Sequence, residues 1–211
     1  MNFLTNRPLI SNVHQDGHIC MMYYQDVTDN NGVTLTPEIK LDGTTKTCTV
    51  AVCDNLTAIH IPYSVFSAGN ILTLKLKDYL GVDASSLYTF NIIHKGCDVV
   101  NVAWLNTKGG IDHYTFFSEK KVKISSEASY IERTDAMKVI QSKRFSDYVM
   151  VSDHEALNMR TWLSEIIGSP KIWMLPFTEV QLTESSLNTI SNDLEQLSIT
   201  LRPFRTKLQS L

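Results

Sequence analysis

The stretch Trp104-Leu-Asn-Thr-Lys-Gly-Gly-Ile-Asp-His-Tyr-Thr-Phe-Phe117 decides how this 211-residue chain is read. Two β-like apolar runs flank Gly109-Gly110. Val99, Trp104 and Leu105 precede the glycines, and Tyr114, Phe116 and Phe117 follow them. Glycine tolerates the positive φ of a tight reversal, so the pattern predicts a hairpin or a sharp strand-to-strand corner. In this reading Gly109 and Gly110 make the bend, and Asp112 ties it to the local backbone. Trp104, Asn106 and Phe116 complete the corner.

Upstream, short apolar runs alternate with turn signals. His18–Tyr24 is one run, and Asp29-Asn-Asn-Gly32 is the strongest hairpin turn in the chain. Pro37–Leu41 reads as a strand whose proline favours a sheet edge. In Ile71–Lys77 the leucines at 72, 74 and 76 share one face, and Thr73, Lys75 and Lys77 share the other. Thr47–Cys53, Ala58–Phe66 and Tyr88–His94 continue the period of two. Residues 1–105 are therefore expected to form a β-sandwich or barrel.

Downstream, residues 106–211 read as a smaller β-β-α-β-β unit, which makes the chain mainly β (α+β). Lys120–Ile124 alternates, and its charged outward face should discourage edge pairing. Ala128–Phe145 reads as strand rather than helix. Ser152 with Glu155 has the spacing of a capping box and predicts a helix near 153–167. Leu157, Met159, Trp162, Leu163, Ile166 and Ile167 would form its buried stripe. Gly168 would end it in the left-handed conformation, with Pro170 blocking resumption. Lys171–Leu175, Phe177–Leu182 and Leu197–Arg202 read as strands, and the tail from Pro203 as an arm that orders on a neighbour.

Composition narrows the function classes. Charged residues are 19% and the net charge is -3, so no overall basic footprint for nucleic acid exists. No run approaches the roughly 20 apolar residues of a membrane helix. The N-terminus has no cationic segment leading into an apolar one, so no signal peptide is expected. Cys20, Cys48, Cys53 and Cys97 then read as free thiols of a cytoplasmically folded protein.

Chemistry-bearing groups are sparse. His18 with Cys20 and His94 with Cys97 are soft-ligand pairs, but their spacing is irregular for zinc. Asp112, His113 and a serine can be assembled into a triad only on paper, because no nucleophile elbow is present. Neither a Rossmann glycine triplet nor a P-loop occurs. The expectation is no enzyme, no metal and no cofactor. Lys120, Lys121, Lys123, Lys138, Lys143 and Arg144 are interleaved with acids, which indicates a solvated or salt-bridged face rather than a nucleic-acid channel. Tyr23, Tyr24, Trp104 and Tyr114 keep a competing reading open, a carbohydrate-binding β-sandwich of an adsorption apparatus. A small hydrolase is the third alternative.

From Cys97 to Phe117, the order Cys, apolar strand, Trp-Leu-Asn, Gly-Gly-Ile-Asp and Tyr-Thr-Phe resembles a segment of known proteins. These are the virion tail and connector (ring-type) proteins of tailed phages infecting Bacteroidetes, including crAss-like phages. The helix ending at Ile167-Gly-Ser-Pro, the following Lys171-Ile-Trp-Met-Leu and the closing strand before Pro203 are similar to theirs in the same order. The resemblance implies a structural subunit of the tail or neck, assembled in the host cytoplasm and located in the virion. Its implied partners are copies of itself in a ring and the neighbouring tail, neck or portal proteins. It also implies passive contact with DNA in a channel, and no membrane.

Overall fold

The computed structural model describes residues 3–25, 35–53, 55–61, 66–94, 98–133, 136–153, 155–176, 178–189 and 194–204. In chain order the strands begin β1 (Ile10–His14), β2 (Ile19–Tyr24), β3 (Thr36–Leu41), β4 (Thr44–Thr45) and β5 (Thr49–Cys53). β6 (Leu56–Ile61), β7 (Ile71–Lys77), β8 (Tyr88–Ile93), β9 (Val99–Leu105) and β10 (Ile111–Arg133) follow. After β11 (Ala136–Val151) and β12 (Glu155–Ala156) come two short helices, α1 (Leu157–Leu163) and α2 (Glu165–Gly168). β13 (Ile172–Met174), β14 (Thr178–Thr189) and β15 (Leu194–Pro203) complete the set.

Two sheets form a sandwich. One has the order β1-β8-β7-β3-β4 and the other β2-β6-β5. Alternation explains the packing, because successive side chains of a strand point to opposite faces. Leu72, Leu74 and Leu76 from one sheet meet Ile19, Met21, Ile59 and Ile61 from the other in a single core. Pro37 lies where the short β4 no longer covers β3, since β4 pairs only with Lys40 and Leu41. The missing N–H therefore costs no ladder bond there.

The remaining strands close on themselves. Two antiparallel meanders, β9-β10-β11 and β13-β14-β15, meet along two seams, β9 with β13 and β11 with β15. The result is a six-stranded antiparallel barrel, a closure that removes sheet edges around its girth. Alternate inward residues fill it: Val102 and Trp104, Tyr114 and Phe116, Met150, then Leu197, Ile199 and Leu201. Met159, Trp162, Leu163 and Ile166 from α1 and α2 belong to the same core.

Several expectations need correction. The second unit is larger than the expected β-β-α-β-β arrangement, because β9 also belongs to it and its strands are long. The sheets divide between Ile93 and Val99, so Val99–Leu105 leaves the 1–105 region. The helix starts at Leu157, with Ala156 at its N-cap and no side-chain cap bond. Ser152 instead donates to Asp153 O and accepts from Leu197 N, at 2.7 and 2.9 Å, while Glu155 opens the short strand β12. β15 competed successfully for the backbone that the capping box would have used. Leu157 and Ile167 are exposed rather than in the stripe. Gly168 is not among the residues with positive φ, so the last turn ends without a left-handed cap. The Asp29–Gly32 turn, Phe177 and the tail beyond Phe204 lie outside the described residues.

One part of the barrel projects. β10 pairs with β9 only through Phe117, and β11 pairs with β15 only from Tyr148 onward. Between those points Lys123–Arg133 and Ala136–Asp147 pair with each other as a two-stranded ribbon. Its β10 strand, at roughly 3.3 Å per residue, carries it about 35 Å past the barrel. The β14–β15 hairpin points the opposite way, because β14 runs antiparallel to β13 and β13 runs parallel in sense to β10.

Candidate functional site

The most concentrated polar chemistry lies in the joint between sandwich and barrel. The Asn106–Gly110 loop closes the β9–β10 hairpin, whose last pair is Leu105 with Ile111. Asn106, buried, accepts from Lys108 N at 2.9 Å and Gly110 N at 3.0 Å, and donates to Leu4 O at 2.8 Å. Lys108 Nζ adds a bond to Thr5 O at 2.8 Å. The loop therefore grips the segment Phe3–Arg7, which crosses to the sandwich, where Leu4 N donates to Met22 O at 2.7 Å.

The two glycines have different duties. Gly109 has φ +81°, the left-handed region that favours glycine. Gly110 is needed for close approach instead, since a Cβ there would lie 2.1 Å from Leu4 O. Gly110→Ala is expected to cost about 3 kcal/mol, and Gly109→Ala, facing open space, about 1 kcal/mol. Urea unfolding of the two variants measures the difference, and equal costs would contradict the division of roles.

Asp112 does not serve the turn. It faces inward, buried, and accepts from Thr5 Oγ1 at 2.6 Å and from Trp162 Nε1 at 2.8 Å. Its partners are 107 and 50 residues away in sequence, so turn chemistry could not have revealed them. Trp162 packs against Trp104 with ring centroids 5.2 Å apart. Trp104 Nε1 itself finds no acceptor among the described residues. Phe116 meets Tyr114 edge-on at 4.8 Å inside the barrel.

Arg7 is the residue that sequence reading missed. Its guanidinium is held between the rings of Phe90 and Trp162, at 5.0 and 4.8 Å, which joins the two cores through one cation. Nε donates to Ser11 Oγ at 2.9 Å, and the terminal nitrogens reach Asn12 O at 3.3 Å and His113 O at 3.4 Å. Burial pulls its pKa from 12.5 down to about 10, against the raising influence of Asp112 and Glu155. It remains a cation at neutral pH. Only its position just before Pro8 marked it in the sequence, and that says nothing of burial.

On the barrel side, Tyr114 Oη donates to Glu155 Oε1 at 2.7 Å and accepts from Asp153 N at 3.1 Å. Burial, and next the Glu155 charge, push the phenol well above its ordinary pKa, so it stays a donor. Burial likewise raises the Glu155 carboxyl, with the Tyr114 bond opposing. His14 Nε2 lies 2.8 Å from Asp153 Oδ2 across the joint. Asn12, His14, His18, His113, Thr115 and Asp153 line a small cleft here.

Three imidazoles cluster on the outer face of β10. His18 lies 4.0 Å from His60 and 4.8 Å from His113, centroid to centroid. Burial first, and His60 second, lower His18 to about 4, while burial followed by His18 takes His113 well below its usual value. Both folded pKa values lie below the unfolded value, so acid binds the unfolded chain more readily. Stability should be full above about pH 6.5 and fall as pH drops through that value towards about 4. Glu155 works the other way, because a carboxyl with a raised folded pKa gains its proton first in the folded state. Unfolding midpoints at about pH 7.5 and pH 5 check this, and the double variant His18→Gln, His113→Gln should flatten the dependence. An unchanged slope would rule out the imidazoles as its source.

Among the described residues, no group of three His, Cys, Asp or Glu is placed to hold a metal ion. Cys20 and Cys48 are free and partly buried, and burial raises the Cys20 thiol to about 11. Cys53 and Cys97 side chains lie outside the described residues, as do those of Lys120, Lys121, Lys123, Lys138, Lys143 and Arg144. Tyr23, Trp104 and Tyr114 are buried, which removes three of the four rings proposed to stack on sugars. Tyr24 is 43% exposed and accepts from Asn55. The arrangement binds two β units to each other through buried hydrogen bonds, while His113 Nδ1, like Trp104 Nε1, has no hydrogen-bond partner among the described residues. No family model, curated protein or solved structure matches the chain.

Proposed function

We propose that the chain is a structural subunit of a tailed-phage virion, a tail or neck (connector ring) protein that assembles into a ring of many copies. The observation that carries this reading is the β10–β11 ribbon, two long paired strands leaving a closed barrel with edges uncovered by the rest of the described chain. Such edges fit an assembling subunit, because an isolated two-stranded ribbon is marginal in water. The joint built on Arg7, Asp112 and Trp162 supports the same reading. It holds barrel and sandwich together with buried bonds, as a subunit under assembly load requires. Tyr79, Leu80 and Val82 add an exposed apolar turn, braced by Asp78 Oδ1 accepting from Leu80 N and Val82 N.

In this role the partners are copies of the same chain and the adjoining tail, neck or portal proteins, with passive contact to DNA in the channel. Mass spectrometry of purified particles from the phage encoding the chain is the direct test. Several copies per particle are expected, and particles without the chain would end the proposal.

A further inference from the structure

We infer that the ring is closed by the ribbons themselves, the β10 edge of one copy pairing with the β11 edge of the next; this rests on the ring reading above. Lys123–Arg133 and Ala136–Asp147 make strand pairs only with each other among the described residues. Each ribbon therefore offers two edges of nearly equal length and opposite direction, β11 carrying one extra residue, Ile140, at the register shift beside Ser129 and Tyr130. Setting one copy's β10 beside the next copy's β11 continues the antiparallel alternation already present inside the ribbon. The contact joins two different surfaces, so it is heterologous and propagates from copy to copy until it closes. On closure the ribbons form one continuous antiparallel barrel with no edge left open.

A second copy is the occupant because the same chain supplies both halves of the contact at nearly matching length. Sequence agrees with the register. Within the ribbon Glu127 stands across from Lys143, and a neighbour at the same level places Glu127 across from Lys143 of the next copy. The lysines at 120, 121 and 123, expected to guard against edge pairing, are confined to the ribbon's base. Beyond them Ile124-Ser-Ser-Glu-Ala-Ser-Tyr-Ile131 carries a single charge, Glu127, so most of the β10 edge lacks that guard, while the β11 edge keeps Lys138, Lys143 and Arg144. A further uncovered edge, on β14 past its last β13 partner at Val180, lies toward the opposite end of the barrel.

The test uses the full-length chain at high concentration, followed by light scattering and negative-stain microscopy. Rings are expected, and a monomer at every concentration overturns the inference. A second chain replaces Ser126–Arg144 with Asn-Gly, closing a turn between the paired Ser125 and Phe145. It should keep its cooperative unfolding and lose the ring. Rings that survive the replacement overturn ribbon pairing while leaving the ring reading in place; absence of the chain from particles removes the ring reading itself.

Should the shortened chain fail to fold, a mixing experiment decides. One chain carries Ala128→Cys and another Ser142→Cys, positions that face each other in register. Directly opposed strand positions come within disulfide reach. Under mild oxidation the equimolar mixture should give an inter-chain dimer band that neither variant nor the unsubstituted chain gives alone. A mixture without that band overturns the inference.

Discussion

Trp162→Ala is expected to lower stability by about 5 kcal/mol, the largest loss of any single substitution in the joint. Trp162 is 1% exposed, packs against Trp104 and Tyr114, and covers one side of the Arg7 guanidinium. Removing its ring leaves a cavity where helix and barrel meet. It also takes a donor from the buried carboxylate of Asp112, 2.8 Å from the indole nitrogen. Trp162→Phe separates the contributions, since it keeps most of the packing and loses only the N–H. Its cost should be about 1–3 kcal/mol. Denaturant unfolding reads both, and a phenylalanine variant as damaged as the alanine one would mean that the bond to Asp112, not packing, dominates.

Arg7→Met is expected to cost about 3–5 kcal/mol, because it removes one partner from a buried set of charges. Methionine roughly matches the length of the side chain and keeps contact with Phe90 and Trp162. What it lacks is the charge balancing Asp112 and Glu155, together with the donors to Ser11, Asn12 and His113. Adding Asp112→Asn should restore part of the loss, since the neutral amide no longer needs a nearby cation. A double-mutant cycle should give a coupling of about 1 kcal/mol or more between positions 7 and 112. Additivity within about 0.5 kcal/mol would show that Arg7 acts through its bonds to Ser11, Asn12 and His113 rather than through the Asp112 charge. Arg7→Lys should not rescue, because an ammonium cannot reproduce the planar fork stacked between two rings.

Both effects fall on residues whose importance is invisible locally. Trp162 was legible as a buried helix position because Met159, Leu163 and Ile166 share its spacing. Its bond to Asp112 was not, since nothing in a helical stripe indicates which strand it meets. Asp112 beside two glycines had every mark of a turn residue, and Asn106 performs that duty instead. Asn106 can both accept from the loop N–H groups and donate to Leu4 O, whereas a carboxylate only accepts. Ser152 and Glu155 carried a correct cap spacing, yet their backbone had a stronger alternative in β15, and the side chains were free to bind Leu197 and Tyr114.

The amino-acid order alone was enough for the strand faces of Ile71–Lys77 and Leu197–Leu201, the hairpin at Gly109-Gly110, the buried stripe around Trp162 and the mainly β class. Each depends on residues a few positions apart, where a period of two or a turn-forming glycine acts directly on the backbone. Barrel closure, the membership of β9, the Phe3–Arg7 tether and the placement of Arg7 between two cores were decided only in three dimensions. The pairing of β11 with β15 and the bond from Thr5 to Asp112 join residues about 50 and 107 positions apart. Whether a polar side chain at such a place is buried, and what it then binds, follows from which distant strand wins its backbone. Periodicity says which face of a strand is apolar and leaves open what that face will meet.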